Sequence, residues 1–370
     1  MIIAYDAKRA YLNYRGLGNY CRTLLGQLAV LYPEHDYLLC TPHDTGEYPW
    51  LNQPPFRKKE PAGLWKLSPS LWRRTGIPYA LLGEHIDIYH GLSQELPAHL
   101  HRLGCKTVVT MHDAIFLRYP ELYSSTYVWS FTRKNKQACE QADRIVAISQ
   151  QTKQDYMQFF KVPEEKITVV YQGCHPIFWE SASPENDQET AERYHLPSAY
   201  ILSVGALEPR KNALRIIQGL ADAHIDLPLV LVGKGNAEYI RQLQQTAVLH
   251  RIPLMLIRNV RHQDLPSIYR KASVFVYPSL FEGFGIPILE AARCRTPIVA
   301  STGTCFEEIC GDAALYANPL RPDAIGDAIR HYLDDCDLCQ RMTRQALSHT
   351  ERFSSRQVTA DMMAVYQSLI

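Results

Sequence analysis

"AYILSVGALEPRKNALRIIQGLADAHIDLPLVLVG", residues 199–233, decides the fold. Two short β-branched apolar runs, 199–205 and 227–233, each end at a glycine, and "NALRIIQGLADAH" between them repeats its apolar positions at helical spacing. A strand that is apolar throughout must be covered on both faces, so a strand, a helix and a second such strand predict parallel pairing. The alternation continues through "PLMLIRNV" (253–260), "SVFVYPS" (273–279) and "PIVAST" (297–302), with helical patterns in "AEYIRQLQQTAVLH", "LPSIYRKA" and "PILEAARC". A doubly wound α/β domain from about 195 to 350 follows.

The first half repeats the theme less regularly. "MIIAYDA", "DYLLCTP", "IDIYHG", "KTVVTMHDA", "RIVAIS" and "KITVVYQG" read as strands, with helices over "NYCRTLLGQLAVLY", about 126–141 and "QTKQDYMQFF". The polar stretch "SASPENDQET" (181–190) reads as the boundary. A chain of 370 residues is long for one core. The expected organisation is two Rossmann-like domains, 1–175 and 176–353, with a final helix at about 354–370 packing back on the first. Such pairs bind ligands in the cleft facing the carboxyl ends of both sets of strands.

Composition removes several classes of function. Hydrophobic content of 46% and charged content of 21% belong to a globular chain. A net charge of +1, from 39 basic and 38 acidic residues, supplies no global field for nucleic acid. The opening "MIIAYDAKRAYLNYRG" mixes charges into its first residues, which is unlike a signal peptide, and no run approaches a bilayer span. Ten cysteines without framework spacing predict free thiols in a reducing, cytosolic setting. Cys336 and Cys339 form one C-x-x-C after a helical pattern, which favours helix packing over metal or redox use.

Four features fall at the carboxyl ends of predicted strands. In "NYRGLGNY", Gly16 and Gly18 precede a helix; they serve a ligand contact or a plain loop. In "TMHDAIF", His112 can meet a substrate hydroxyl or phosphate with Asp113 fixing its tautomer; the alternative is a structural histidine beside a helix cap. In "VGALEPRKNALRII", the strand ends at Gly205, and Arg210 and Lys211 at the start of the next helix suit a diphosphate better than a solvated basic pair, since cations there oppose the helix dipole. In "EGFGIPILE", Glu282, Gly283, Phe284, Gly285 and Ile286 lead into a helix begun by Pro287. The glycines clear space for backbone N–H groups to meet an anion, and Glu290, one turn in, can accept from the vicinal hydroxyls of a ribose.

Taken together, these features resemble the retaining GT-B glycosyltransferases of family four, glycosyl transferase group 1. "EGFGIPILE" matches that family's E-x7-E motif, and "ADRIVAIS", "GALEPRKN", "VRHQDLPSIYRKA" and "GDAALYANP" are similar to its blocks in order and spacing. The resemblance covers nearly the whole chain. It implies a GT-B pair of Rossmann-like domains, an acceptor side in the first half and donor binding in the second. It also implies diphosphate binding by Arg210 and Lys211, ribose binding by Glu290, and Glu282 facing the transferred sugar with the backbone of Gly283 to Ile286 beside it. His112 would lie near the reacting centre, and Gly16 and Gly18 near the phosphate and acceptor. Where many members carry arginine after the strand-ending Gly205, this chain has Ala206, so Arg210 stands to supply that charge.

The implied reaction is retaining and requires no metal and no cofactor. "LEPRKN" resembles bacterial polysaccharide mannosyltransferases, which makes GDP-mannose the expected donor and a saccharide or lipid-linked acceptor of surface polysaccharide synthesis the expected partner. A UDP-sugar epimerase of the same architecture and a catalytically dead nucleotide-sugar-binding protein are the alternatives. The stretch "PFRKKEPAGLWKLSPSLWRRTG" (55–76) holds six basic residues, Trp65 and Trp72. It reads as a peripheral contact at the inner membrane face or as an exposed loop with two core tryptophans. No RNA-binding motif accompanies it.

Overall fold

The computed structural model describes residues 1–14 and 16–370. Contacts divide the chain into two compact units, Met1–Gly173 with Ser354–Ile370, and Cys174–Phe353. The first unit holds β1 (Ile2–Asp6), β2 (Asp36–Cys40), β3 (Phe56–Lys59), β4 (Ile88–Gly91), β5 (Lys106–Met111), β6 (Arg144–Ala147) and β7 (Ile167–Val169) in the order β3-β2-β1-β4-β5-β6-β7. The second holds β8 (Ile201–Val204), β9 (Leu229–Val232), β10 (Leu254–Ile257), β11 (Val274–Tyr277), β12 (Ile298–Ser301) and β13 (Leu315–Ala317) in the order β10-β9-β8-β11-β12-β13. Every pairing is parallel, and each sheet reverses direction once, at β1/β4 and at β8/β11. Both are doubly wound α/β sheets, as the alternation of strands and helices predicts.

The strands are apolar because both faces are covered. On one face of the first sheet Ile3, Tyr5, Tyr37 and Leu39 pack with the helix Gly16–Leu31, and on the other Ala4, Leu38, Tyr89 and Val109 pack around Trp72. The helix Ser355–Gln367 is too short to hold itself in water. It is fixed because Met362, Met363 and Tyr366 are buried in the first core, each such side chain contributing roughly 1.5–3 kcal/mol. The Tyr366 hydroxyl also lies 2.7 Å from His90 Nδ1.

Several details depart from the sequence reading. Residues 181–190 are not a linker, because Pro184–Tyr194 is a helix of the second unit. Ser183 caps it by accepting from Asn186 N, Pro184 opens it, and Glu185 and Asp187 favour its positive end. β3 went unread because "FRKK" is a short edge strand with a single buried residue, Phe56, and no apolar alternation. β13 went unread as well. The C-x-x-C does stand at a helix N-terminus, since Asp335 caps a new helix Cys336–His349; the Cys339 thiol donates to the Tyr332 carbonyl at 3.0 Å, which is a packing role.

The basic stretch 55–76 is mostly consumed inside its own unit. Arg57 and Lys59 pair with Glu84, Lys58 with Asp44 and Glu60, and Arg73 with Asp6 and Glu95. Trp72 is fully buried and Trp65 half-buried. Facing outward are Leu64 at 85% exposure, Leu67 at 84% and Leu71 at 48%, interspersed with the exposed Lys66 and Arg74. No helix is long and apolar enough to cross a membrane among the described residues.

Candidate functional site

In a doubly wound sheet the loops leaving the two strands at the reversal part company and open a crevice at their carboxyl ends. In the second unit those loops follow β8 and β11. Asn212, held in the left-handed region at φ 64°, ties them together by donating to the carbonyls of Pro278 (3.0 Å) and Pro319 (2.7 Å).

Arg210 and Lys211 converge here on one carboxylate. Arg210 Nη1 donates to Glu282 Oε1 at 2.8 Å and to the Phe281 carbonyl at 2.9 Å; Lys211 Nζ donates to the same Oε1 at 2.5 Å and to the Tyr277 hydroxyl at 2.6 Å. The three charged side chains are only 17%, 15% and 12% exposed, whereas Glu208, the second partner of Arg210, is 41% exposed at the rim. Burial alone would raise the Glu282 carboxyl, but Lys211 and Arg210 hold it below the usual carboxylate range. Burial draws the Lys211 ammonium below its ordinary value, and Glu282 opposes that shift.

One step of the sequence argument fails. Arg210 and Lys211 are not in the first turn of the following helix; they form a separate turn, Pro209–Lys211, ahead of Ala213–Asp222. Their charge is answered by Glu282 and not by opposition to a helix dipole.

The turn after Glu282 is pinned from two sides. The Cys305 thiol donates to the carbonyls of Phe284 (2.7 Å) and Glu282 (3.3 Å). Gly285 sits at φ 118°, and a Cβ there would lie 2.8 Å from the Phe306 ring, so no other residue fits. The helix then runs Ile286–Arg293, with Pro287 second rather than first. Glu290 is buried at 9% exposure and accepts from the Tyr269 hydroxyl at 2.8 Å. Burial raises its carboxyl to about 7. Tyr277, Tyr269, Asn212 and Cys305 escaped the sequence reading; only the position of Tyr277 at a strand end could have signalled any of them.

In the first unit, His112 is 4% exposed and both ring nitrogens are taken: Nε2 lies 2.9 Å from the Leu92 carbonyl and Nδ1 3.1 Å from the Gln172 amide. Those partners, not Asp113, set its tautomer, with Nε2 donating and Nδ1 accepting. Burial lowers the imidazole to about 4, so it is neutral. Asp113 accepts from Ile115 N at 3.1 Å, as a local cap. Gly18 is required by its own fold, because a Cβ there would lie 1.7 Å from the Asn13 carbonyl oxygen, whereas Gly16 has open space.

Two Rossmann-like units, the second with a mostly buried cation pair at its strand reversal, place the chain among two-unit proteins of the doubly wound α/β class. The comparisons make this specific. Residues 186–349 match the model of the glycosyl transferases group 1, and residues 14–176 that of glycosyltransferase family 4. The chain belongs to this family of GT-B glycosyltransferases. It is similar to an O-antigen chain mannosyltransferase B of Escherichia coli, 30% identical over 76% of this chain and 74% of that one. It is also similar to a serotype-specific mannosyltransferase WbdA of Escherichia coli, 30% identical over 72% of this chain but only 34% of the relative. The structure of Anabaena Alr3699/HepE in complex with UDP and glucose superposes with a TM-score of 0.77 over 100% of both chains at 18% identity, a likeness of fold.

Proposed function

We propose that this chain transfers a hexose, mannose from GDP-mannose, to a saccharide or lipid-linked acceptor of bacterial surface polysaccharide, with retention of anomeric configuration. One observation carries the reading: Arg210 and Lys211 meet, mostly buried, at the strand reversal of the second unit. The mannosyltransferase names of the relatives support the sugar. In the transfer the bond from sugar C1 to the β-phosphate oxygen breaks, and the acceptor oxygen bonds C1 from the same face. The hydroxyl proton passes to the departing phosphate. The charge growing on that phosphate is met by Arg210, Lys211 and the N-terminus of Ile286–Arg293. Glu290 accepts from the ribose hydroxyls, Glu282 lies beside the transferred sugar, and His112 positions the loop after β5. The exposed Leu64, Leu67 and Leu71 support peripheral contact with a membrane.

A panel of GDP-, UDP- and dTDP-sugars, with the product's anomeric configuration read by NMR, tests the reaction. GDP-mannose giving an α-mannoside is the expected result. An inverted product, or an altered nucleotide sugar without transfer, would refute it.

Glu290 adds a pH signature. With its carboxyl at about 7, it is mostly protonated at pH 6 and mostly ionised at pH 8. Only the ionised form offers both oxygens to two hydroxyls. GDP affinity in calorimetry is expected to rise by about tenfold from pH 6 to pH 8 through this group. Glu290→Gln isolates that part from titration of the nucleotide's own phosphate, and an identical pH slope in the variant would remove Glu290 from the ribose site.

A further inference from the structure

The Tyr277 hydroxyl stands between opposite charges in the second unit and has no task in the transfer described above. It accepts from Lys211 Nζ at 2.6 Å and donates to Glu282 Oε1 at 3.4 Å. Lys211 Nζ also lies 4.9 Å from the centroid of the Tyr277 ring, within cation–π range. Among the described residues the ammonium has two hydrogen-bond acceptors, this hydroxyl and Glu282.

The ring is fixed by its place in the fold. Tyr277 ends β11, one of the two strands at the reversal, and is 2% exposed. Phe275 stacks on it with centroids 5.8 Å apart, and Phe306 packs at 5.5 Å on a tilted plane. A Cβ built on Gly205, just past β8, would meet the ring at 3.8 Å and Lys211 Cε at 3.9 Å, so both side chains lie against the neighbouring strand end. Lys211 itself comes from the short turn Pro209–Lys211 on a flexible stem with much rotamer freedom to lose. The rigid partner of the contact is therefore the tyrosine.

The two acceptors of Lys211 differ in kind. Glu282 Oε1 is shared with Arg210, and a diphosphate drawn to the pair competes with it for both cations. Burial raises the Tyr277 phenol well above its ordinary value, so it stays a neutral hydroxyl. A neutral acceptor holds an ammonium without cancelling the charge that a developing oxyanion needs. Four groups face Lys211 and set its charge state: Tyr277, Glu282, Arg210 and, at the rim, Glu208. Burial draws the ammonium below its ordinary value, Glu282 and Glu208 oppose that shift, and Arg210 adds to it. Loss of the hydroxyl takes an acceptor from the charged form and so favours the neutral amine.

We propose that Tyr277 is a positioning residue, whose hydroxyl keeps the Lys211 ammonium in place while a diphosphate displaces Glu282 from it. Lys211 remains the group that meets the phosphate. The part Tyr277 plays in turnover rests on the transfer reading above, whereas its hold on Lys211 is a property of the free protein.

Tyr277→Phe tests it, because the substitution removes the hydroxyl and keeps the packed ring. With GDP-mannose as donor, kcat is expected to fall by about tenfold, while GDP affinity in calorimetry changes by less than about threefold. The basic limb of the pH–rate profile is expected to move to lower pH. In a Lys211→Ala background the same substitution is expected to change kcat by less than about twofold, since the hydroxyl acts through Lys211. An equal fall in both backgrounds would make the hydroxyl structural and overturn the proposal, and so would a wild-type kcat and pH profile. A GDP affinity that falls as far as kcat would make Tyr277 a binding contact and also overturn it. NMR of isotope-labelled lysine side chains reads the free protein directly, with the Lys211 signal identified by its absence from Lys211→Ala. In Tyr277→Phe that amine is expected to titrate at lower pH than in the wild type, and an unchanged titration overturns the proposal whether or not the chain transfers sugar. A shifted titration in a chain that transfers nothing would sink the transfer reading and leave the hold on Lys211 standing.

Discussion

Lys211→Ala is expected to reduce kcat/KM for the sugar donor by about two to three orders of magnitude and to weaken nucleoside diphosphate binding by about tenfold. The unequal losses follow from when the charge is needed. The ground-state donor spreads its charge over two phosphates, whereas the breaking bond concentrates new charge on one oxygen, and a buried ammonium stabilises the second state more than the first. Lys211 is suited to this because burial lowers its pKa while Glu282, 2.5 Å away, keeps it charged. Lys211→Arg is not a conservative control, since the broader guanidinium must share a space already occupied by Arg210 and Tyr277. Steady-state kinetics with parallel calorimetry decide the matter. Equal losses in both would mean that Lys211 only binds, and no loss in either would remove it from the diphosphate site.

The fold was legible where strands are core strands. Residues 199–233 read directly because β8 and β9 are buried on both faces and Ala213–Asp222 presents one apolar stripe. Legibility failed at edges and on wet helices. "FRKK" has no apolar period to find, and Pro184–Tyr194 buries only Thr190, so its composition matches that of a linker. The site divides along the same line. "EGFGIPILE" and "EPRKN" are contiguous, and their spacing carries the geometry. Tyr277 and Tyr269 look like any strand or helix aromatic, and their partners Lys211 and Glu290 are far away in sequence. His112 shows the opposite limit, because a histidine past a buried strand reads identically whether its nitrogens face a ligand or, as here, a carbonyl and an amide.

Glu282→Gln is expected to lower the stability of the free protein by about 3 kcal/mol, or roughly 6–10 °C in melting temperature for a unit of this size. The amide keeps the shape of the carboxylate, so packing is unchanged. What is lost is the single buried negative charge that answers both Arg210 and Lys211, leaving two desolvated cations with only the half-exposed Glu208 nearby. A diphosphate in the same place would replace that charge. GDP is therefore expected to raise the melting temperature of Glu282→Gln by more than it raises that of the wild type, even where turnover is impaired. The sign with pH is also determined. The carboxyl of Glu282 is depressed in the folded state, so its contribution is present above the ordinary carboxylate range and lost as pH falls through its folded value. Wild type and variant should therefore converge in stability on acidification. A variant that melts like the wild type at neutral pH would show that Glu282 is not needed to neutralise the pair. A variant whose stabilisation by GDP is no larger than the wild type's would instead show that the diphosphate does not take over the charge of Glu282 on Arg210 and Lys211.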